Sequence, residues 1–377
     1  MRVLIAGGGT GGHLFPGIAL AEEVTTRHHK NDVVFVGTER GLEARVVPAA
    51  GYKLETIPVM GLKGKSPGQF IKALFALPRA FVLSWQILRR YRPDVVVGVG
   101  GYSSGPVVLT AWLQGIPTAV QEQNALPGFT NKLLGRFVRA VFVAFDEARP
   151  FFKSGKVHLI GNPIRAKLMD NYLRSSQKHE GFTVLVFGGS LGAKGVNSRV
   201  LDALAHLDDL KGQLRFTHQT GKADLENVRQ GYAALGFDAN VVEFIDDMSG
   251  AYAKAELVIC RAGATTISEL TVCKKAAILI PFPYATDNHQ EVNARALVAG
   301  GAALMFRESE LDGKTLADTL RGLVADPARL RRMERQAGLL GRPEAAKELA
   351  DVCVQLMVDQ YGPEGRTRPQ LEKGSPP

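Results

Sequence analysis

Two glycine-rich turns are the strongest candidates for a binding or reactive site in this sequence. The first, GGGTGGH at residues 7–13, follows an apolar run, and Gly7, Gly9 and Gly12 have the G-x-G-x-x-G spacing of a dinucleotide-binding turn. The second, GGSLGA at residues 188–193, repeats this layout in the other half of the chain. Glycine lets backbone approach a phosphate closely, and the helix start that follows presents N–H groups and partial positive charge. Both turns are therefore predicted to bind anions.

His13 ends the first turn and places a titratable ring where a dinucleotide needs only small residues. A dehydrogenase also needs an acid after the second strand to hold a ribose hydroxyl, and Glu39 could supply it. The repeated turn, together with a third glycine cluster at residues 98–106, favours a nucleotide donor on one half and an acceptor on the other. A nicotinamide oxidoreductase stays open as the alternative that depends on the first turn alone.

The segments that must position these turns alternate between short β-branched strands and amphipathic helices. In the first half we expect strands at residues 2–6, 32–37, 94–99, 118–121 and 140–144. The pattern restarts at Phe182, and further strands are expected near residues 215–219, 241–244, 257–260 and 277–281. This alternation predicts an α/β protein with two Rossmann-like parallel-sheet domains. Because ligands bind outside the carboxyl ends of such strands, the two domains are expected to face each other across a cleft.

The domain boundaries follow from this repeat. Residues 1–160 are predicted to form an N-terminal domain and residues 161–341 a C-terminal domain, joined at the Asn-Pro turn of GNPIR, residues 161–165. A helix over residues 342–360 is expected to pack back on the N-terminal domain. Residues 361–377 have the composition of a disordered tail.

The composition narrows the class of protein. The 377 residues are 45% hydrophobic and 22% charged, which is typical of a globular protein with a sizeable core. Three cysteines without metal-ligand spacing are expected to be packing residues in a reducing compartment. The sequence begins on an apolar strand without the pattern of a signal peptide, and no apolar run is long enough to span a membrane. A net charge of +9 predicts an anionic partner.

Residues 68–92 combine large apolar side chains with lysines and arginines. Phe75, Phe81 and Trp85 could enter a lipid interface while the neighbouring basic residues face anionic head groups. A buried helix with a charged outer face explains much of the same pattern. Nucleic acid is the less favoured anionic partner, because the basic residues of the chain are not interleaved with aromatic residues as in a stacking platform. We therefore expect a membrane surface as partner and no nucleic acid.

Eight motifs, taken together and in order, resemble the MurG family of bacterial glycosyltransferases. They are GGTGGH (8–13), GGYSSGP (100–106), QEQN (121–124), GNPIR (161–165), GGSLGA (188–193), FIDDM (244–248), RAGATTISEL (261–270) and PFPYATDNHQEVNA (281–294). The resemblance runs from Arg2 to about Met357. The chain departs from the family at Gln121, where His is common, and a glutamine can keep a hydrogen-bonding role there.

The resemblance implies a GT-B hexosyltransferase of peptidoglycan synthesis that needs no cofactor. Such an enzyme moves N-acetylglucosamine, with inversion, from UDP-N-acetylglucosamine to the C4 hydroxyl of undecaprenyl-pyrophosphoryl-MurNAc-pentapeptide, converting lipid I to lipid II. The C-terminal domain would bind the donor and the N-terminal domain the acceptor, at the cytoplasmic face of the inner membrane. A GT-B enzyme with another acceptor, such as a glycolipid or a natural-product aglycone, would share the donor chemistry.

The departing UDP gains negative charge that must be stabilised. The chain contains no D-x-D motif to hold a metal for this purpose, so we predict no metal. The helix start after residues 188–192, with the hydroxyl of Ser190, can supply the necessary hydrogen-bond donors instead.

The family motifs also imply individual roles. On the donor side, uracil would meet backbone near Ile245, the ribose hydroxyls Glu269, the phosphates Ala264, Thr265 and Arg165, and the sugar hydroxyls Gln290, whose amide both donates and accepts. His13 and Glu122 are the candidates for the general base that deprotonates the acceptor hydroxyl, and contact with the acceptor phosphate is the alternative role for His13. The environment of the donor sugar and acceptor would be completed by Thr10, Gly11, Gly12 and Asn124.

Overall fold

A computed structural model describes residues 1–39, 41–59, 67–174, 181–189 and 191–366, with the backbone alone for residues 67–75. The chain divides into two compact units. Unit 1 comprises Met1–Gln123, Pro127–Pro163 and Glu344–Pro377, and unit 2 comprises Asn124–Leu126 and Ile164–Pro343. The predicted tail lies outside the described residues from residue 367 onwards.

Unit 1 is built on one parallel sheet. Its described strands are β1 (Arg2–Gly7), β2 (Asp32–Gly37), β3 (Lys53–Thr56), β4 (Val95–Gly100), β5 (Thr118–Glu122), β6 (Ala140–Val143) and β7 (Val157–Leu159). Their order is β3-β2-β1-β4-β5-β6-β7, and every neighbouring pair is parallel. The order reverses between β1 and β4, as in dinucleotide-binding folds, so the crevice at the carboxyl ends of these strands is the expected ligand position.

Unit 2 repeats this arrangement. Its described strands are β8 (Phe182–Phe187), β9 (Leu214–Gln219), β10 (Asp238–Val242), β11 (Leu257–Cys260), β12 (Ala276–Leu279) and β13 (Ala303–Met305). They are ordered β10-β9-β8-β11-β12-β13, again all parallel. The order reverses between β8 and β11, which makes that pair the counterpart of β1 and β4. The predicted α/β class with two Rossmann-like parallel-sheet domains is thereby confirmed.

Helices connect the strands. Those of the described residues are α1 (Gly11–Arg27), α2 (Glu43–Ala49), α3 (Pro67–Tyr91), α4 (Ser104–Leu113), α5 (Phe129–Leu134), α6 (Ala166–Arg174), α7 (Lys194–Leu204), α8 (Leu225–Leu235), α9 (Met248–Lys254), α10 (Ala264–Val272), α11 (His289–Ala299), α12 (Gly313–Ala325), α13 (Pro327–Leu340) and α14 (Ala345–Tyr361). No helix of the described residues is both long and apolar enough to cross a membrane.

The central strands of unit 1, such as β4, β5 and β6, are buried on both faces because helices cover each side of the sheet. Successive side chains of a strand point to opposite faces. Val3 and Ile5 accordingly join the cluster that contains Leu349 and Cys353 of α14, whereas Leu4 joins the cluster on the other face. The C-terminal helix therefore completes the core of unit 1. All three cysteines of the chain are buried and unpaired.

The structure differs from the expected strands mainly at the sheet edges. Three short strands, β3, β7 and β13, were not expected, since three or four residues carry little period-two pattern. The strand expected at residues 241–244 runs from Asp238 to Val242 instead. It ends early because Ile245 has turned away, with its backbone N–H bonded to a side chain of another strand end.

Candidate functional site

The predicted site residues of unit 1 gather where the strand order reverses. Thr10 is the exposed N-cap of α1, and Gly11, Gly12 and His13 form the first turn of this helix. The carbonyl oxygen of Thr10 accepts hydrogen bonds from the backbone N–H groups of His13 and Leu14, at 3.2 and 3.1 Å. The first N–H groups of a helix have no partner within the helix, so this turn can receive acceptor atoms of a ligand.

A buried carboxylate that the sequence analysis missed occupies the glycine turn itself. Glu43, the first residue of α2, is 1% exposed and accepts a hydrogen bond of 2.7 Å from the backbone N–H of Gly9. A Cβ atom added to Gly8 would lie 2.5 Å from Glu43 Oε2, so only glycine fits there. The expected acid was Glu39, which is exposed. The sequence signal for Glu43 was its place at the start of the helix after the second strand.

The hydrogen bonds of Glu43 keep it ionised. Burial alone would raise the pKa of its carboxyl, but the backbone N–H groups of Gly9 and Glu43 and the N–H and hydroxyl of Thr38 outweigh burial and lower it. The Thr38 contacts are 2.8 and 2.7 Å long. A fixed negative charge therefore holds the glycine turn from inside the protein.

The His13 ring is half-buried between two later segments of unit 1. Its Nδ1 atom lies 3.1 Å from Oε1 of Gln123, the residue after β5. A Cβ atom on Gly100, at the end of β4, would lie 2.5 Å from the same Nδ1 atom, and Gly100 has φ +94°. Glycine is required at this position both by the backbone angle and by the approach of the imidazole ring. The ring is thus confined by contacts from both neighbouring strands.

The other candidate base, Glu122, is 1% exposed. Its Oε2 atom accepts hydrogen bonds from the backbone N–H of Gly128 at 3.1 Å and from Asn131 Nδ2 at 2.9 Å. These contacts fix the start of α5 and favour a structural role for Glu122. Asn124 belongs to unit 2, where its Oδ1 atom accepts a hydrogen bond from Asn293 at 3.1 Å. The structure therefore assigns Asn124 and His13 to different units.

In unit 2, Ser190 lies outside the described residues, but the residues around it show how its turn is held. Gln219, at the end of β9 and 3% exposed, donates a 2.7 Å hydrogen bond from Nε2 to the carbonyl of Gly189. Its Oε1 atom accepts a 2.9 Å bond from the backbone N–H of Ile245. Gln219 thus connects the glycine turn to the segment predicted to meet uracil, and leaves the Ile245 carbonyl as the group that can face a base. The sequence feature that could have pointed to Gln219 was its position as a polar residue at the end of a strand.

Glu269 on α10 is paired with the buried hydroxyl of Tyr252, which donates to Glu269 Oε2 at 3.0 Å. Burial raises the pKa of Glu269 to about 7, although the Tyr252 hydrogen bond and the charge of Arg165 both act to lower it. Arg165 is exposed and close enough to act on this carboxylate. The structure therefore brings Arg165 and Glu269 together within unit 2, as expected for residues of one site.

The start of α10 presents a second helix N-terminus. Ala264 is its first residue, four positions after the end of β11 at Cys260, and Gly263 is its extended N-cap. The Oγ1 atom of Thr265 is buried and has no hydrogen-bond partner among the described residues. A buried hydroxyl without a partner is unusual and calls for an explanation, such as a ligand atom.

Gln290, at the start of α11, differs in part from expectation. Its Oε1 atom accepts hydrogen bonds from the backbone N–H groups of Ala262 at 3.2 Å and Phe282 at 3.0 Å. The side chain was expected both to donate to and accept from sugar hydroxyls. Because the carbonyl oxygen already accepts from two backbone donors, the NH₂ group is the part of this side chain that can still bond to a ligand. No cluster of three or more His, Cys, Asp or Glu side chains that could hold a metal occurs in the described ranges.

Both halves of the chain match one family. Residues 3–143 match the model of the glycosyltransferase family 28 N-terminal domain, and residues 183–349 match that of the glycosyltransferase family 28 C-terminal domain.

Full-length relatives carry a specific name. The chain is 72% identical over 372 residues to the UDP-N-acetylglucosamine--N-acetylmuramyl-(pentapeptide) pyrophosphoryl-undecaprenol N-acetylglucosamine transferase of Myxococcus xanthus strain DK1622, covering 99% of this chain and 97% of that relative. It is 61% identical to the enzyme of the same name from Anaeromyxobacter sp. strain Fw109-5, covering 100% and 99%. The crystal structure of Acinetobacter baumannii MurG superposes with a TM-score of 0.77 at 31% identity, covering 94% of this chain and 99% of that one.

The raised pKa of Glu269 predicts how the stability of the protein depends on pH. The folded carboxyl keeps its proton between pH 4.5 and about 7, where the unfolded chain has lost it, so stability falls as the pH rises through this window. Glu269→Gln removes this loss. The difference in free energy of unfolding between Glu269→Gln and wild type should therefore shift by roughly 1–3 kcal/mol in favour of the variant from about pH 4 to about pH 8. Urea titrations at the two pH values measure this difference. Glu348→Gln, an exposed site on α14, is the control, and equal pH dependence in all three proteins would contradict the burial of Glu269.

Proposed function

The chain belongs to the MurG family of glycosyltransferases, a GT-B branch of glycosyltransferase family 28, and from this premise we propose its reaction. It transfers N-acetylglucosamine from UDP-N-acetylglucosamine to undecaprenyl-pyrophosphoryl-MurNAc-pentapeptide in peptidoglycan synthesis. The observation that carries this proposal is the 72% identity, over almost the whole of both chains, to a relative with that name. The finer proposal is that transfer goes to the C4 hydroxyl of lipid I with inversion at the anomeric carbon.

The donor is proposed to bind unit 2 at the carboxyl ends of β8 and β11. Thr265 supports this proposal because its buried hydroxyl can donate to a phosphate oxygen at a helix start. The carbonyl of Ile245 can accept from a uracil N–H, and Glu269 can accept from ribose hydroxyls once it is ionised. Gln290 can donate to a sugar hydroxyl through its free NH₂ group, since its carbonyl oxygen is occupied.

The leaving diphosphate is proposed to be stabilised without a metal ion. Two helix N-termini of unit 2, those of α7 and α10, follow glycine-containing turns and carry partial positive charge. Ser190 in the first of these turns and the guanidinium of Arg165 would add hydrogen-bond donors. Donors fixed by the fold before the reaction can stabilise charge as it develops in the transition state.

The acceptor is proposed to bind unit 1, with His13 as general base. His13 is half-buried at a helix start, so one face of the ring can meet a ligand. Glu122 is the weaker candidate because both hydrogen bonds to its Oε2 atom serve the protein itself. Thr10, Gly11 and Gly12 would contact the acceptor or the transferred sugar beside this base.

We propose that the protein is a peripheral enzyme at the cytoplasmic face of the inner membrane and that α3 attaches it to anionic lipid. Trp85 is 42% exposed and Val82 is 57% exposed, while Phe81 is half-buried. The guanidinium carbon of Arg89 lies 5.8 Å from the centre of the Trp85 ring, so apolar and cationic groups share this surface. The side chain of Phe75 lies outside the described residues.

Transfer of labelled N-acetylglucosamine from UDP to a synthetic lipid I analogue tests the reaction directly. We expect product with purified protein, at an unchanged rate after addition of EDTA. Activity abolished by the chelator would contradict the metal-free mechanism. Transfer to a glycolipid or aglycone but not to the lipid I analogue would instead assign another acceptor.

Thr265→Val tests the donor site with little change in shape. We expect UDP-N-acetylglucosamine to bind about five- to tenfold more weakly, because one hydrogen bond to a phosphate is lost. The free energy of unfolding should not fall, since the buried hydroxyl has no hydrogen-bond partner among the described residues. Thr266→Val is the matched control on the same helix turn. Calorimetric titration that gives equal affinities for both variants would remove Thr265 from the site.

Trp85→Ala tests membrane attachment. We expect the fraction that sediments with phosphatidylglycerol-containing vesicles to fall at least about threefold, because the exposed indole no longer enters the interface. Leu339→Ala on α13 of unit 2, where the leucine is 76% exposed, is the control for loss of a surface apolar group. Unaltered binding of both variants would place the membrane contact elsewhere.

A further inference from the structure

We infer that Gln123 is a positioning residue that holds His13 as its Nδ1–H tautomer and leaves Nε2 to take the proton of the acceptor hydroxyl. This inference rests on the proposed function, in which His13 is the base. Either nitrogen of a neutral histidine can carry the proton, and the partner of one nitrogen decides the state of the other. The hydrogen bonds of Gln123 determine which nitrogen of His13 carries the proton.

The orientation of the Gln123 amide is fixed by an atom that can only accept. Its nitrogen, Nε2, lies 2.6 Å from the backbone carbonyl oxygen of Val99 in β4. An amide oxygen in that place would face another oxygen without a proton between them, so the hydrogen-bond network assigns nitrogen there. The oxygen Oε1 must then be the atom that faces His13 Nδ1 at 3.1 Å. Since an amide oxygen cannot donate, the proton of this bond belongs to the histidine.

A second hydrogen bond agrees with this orientation. Gln123 Nε2 also donates to Oε1 of Gln121, and Gln121 Nε2 donates to Asn162 Oδ1 at 2.9 Å. These amides are at most 2% exposed, so water does not compete for their donors. A flip of Gln123 would lose the buried hydrogen bond to Val99, and its NH₂ group would then face His13 Nδ1. Gln121, the departure from the family pattern, therefore contacts Gln123 through its Oε1 atom.

A half-turn of the ring about its Cβ–Cγ bond would place the Cδ2 carbon against Gln123 Oε1 and lose the hydrogen bond of Nδ1. Gly100 leaves room for the ring at this position, since an added Cβ atom would lie 2.5 Å from Nδ1 and 2.8 Å from Cε1. The neutral amide also orients the ring without placing a negative charge beside it. The geometry thus favours one tautomer in one orientation, which is what a base must have before substrate binds.

The reaction step balances on this arrangement. Nε2 takes the proton of the acceptor hydroxyl, and the oxygen's electron pair forms the bond to the anomeric carbon of the donor sugar. The bond between that carbon and the diphosphate oxygen breaks, and its electron pair leaves with UDP. The imidazolium keeps its Nδ1–H bond to Gln123 and returns the extra proton to solvent.

Long-range ¹H–¹⁵N correlation spectra of protein labelled at histidine nitrogen test the tautomer without any substrate. His13→Gln identifies the signals of His13 among the eight histidines of the chain. Spectra at about pH 9, above the range in which histidine ordinarily titrates, should show the Nδ1–H form in wild type. Gln123→Met keeps the side-chain volume but removes the acceptor, so the Nε2–H form should gain population.

Transfer kinetics of the same variants give the second measurement. For Gln123→Met we expect kcat to fall about five- to tenfold with an unchanged KM for UDP-N-acetylglucosamine. The Nε2–H form in wild-type protein, or an unchanged tautomer and kcat in Gln123→Met, would overturn the inference. Undiminished transfer by His13→Gln would instead remove His13 as the base. The spectra of wild type would then still report whether Gln123 selects the tautomer, so the two failures are distinguishable.

Discussion

Parallel strand pairing is the constraint on which every candidate site in this protein depends. Because all strands of a sheet run in the same direction, their carboxyl ends lie along one edge, and residues far apart in sequence meet there. In unit 1 the result is that His13, Gly100 and Gln123 follow or end three adjacent strands. In unit 2 the carboxyl ends of β8 and β9 bring Gly189 and Gln219 into contact in the same way.

Buried amides and carboxylates fix the loops at these edges. Gln219, Gln123 and Gln290 each use an amide to connect segments of backbone or side chain, and each is thereby restricted to one orientation. A buried polar group that lost its partner would cost on the order of 1–3 kcal/mol, so the arrangement resists rearrangement. The atoms that are left over, such as the Gln290 NH₂ group, then point in a defined direction. Glycines contribute by allowing approaches that a Cβ atom would block, as Gly100 does beside His13.

The sequence predicted the sheets, their duplication and the glycine turns well, because long apolar strands followed by glycine leave a strong local pattern. It predicted which residues surround the site less completely. Glu43 and Gln219 were missed because the sequence alone does not distinguish a buried polar residue from an exposed one. Their partners belong to other segments of the chain, which only the fold brings close. The interpretation of Gln290 was incomplete for the same reason: two backbone donors from distant segments occupy its oxygen. The short edge strands β3, β7 and β13 arise from pairing with longer neighbours, which no local pattern records.

The carboxylate of Glu43 has a consequence for how sequence fingerprints are interpreted. In a dinucleotide-binding enzyme the backbone of the glycine turn is free to bind the pyrophosphate of the cofactor. Here an internal side chain already fills that role, and a nucleotide phosphate bound to Gly9 would have to expel a buried anion or share its space. The motif keeps the backbone shape of a cofactor-binding turn, but the Glu43 carboxylate takes the place of a ligand at Gly9. The turn thereby holds the start of the helix that carries His13. Spacing of glycines therefore distinguishes the shape of such a turn but not whether it is open to a ligand.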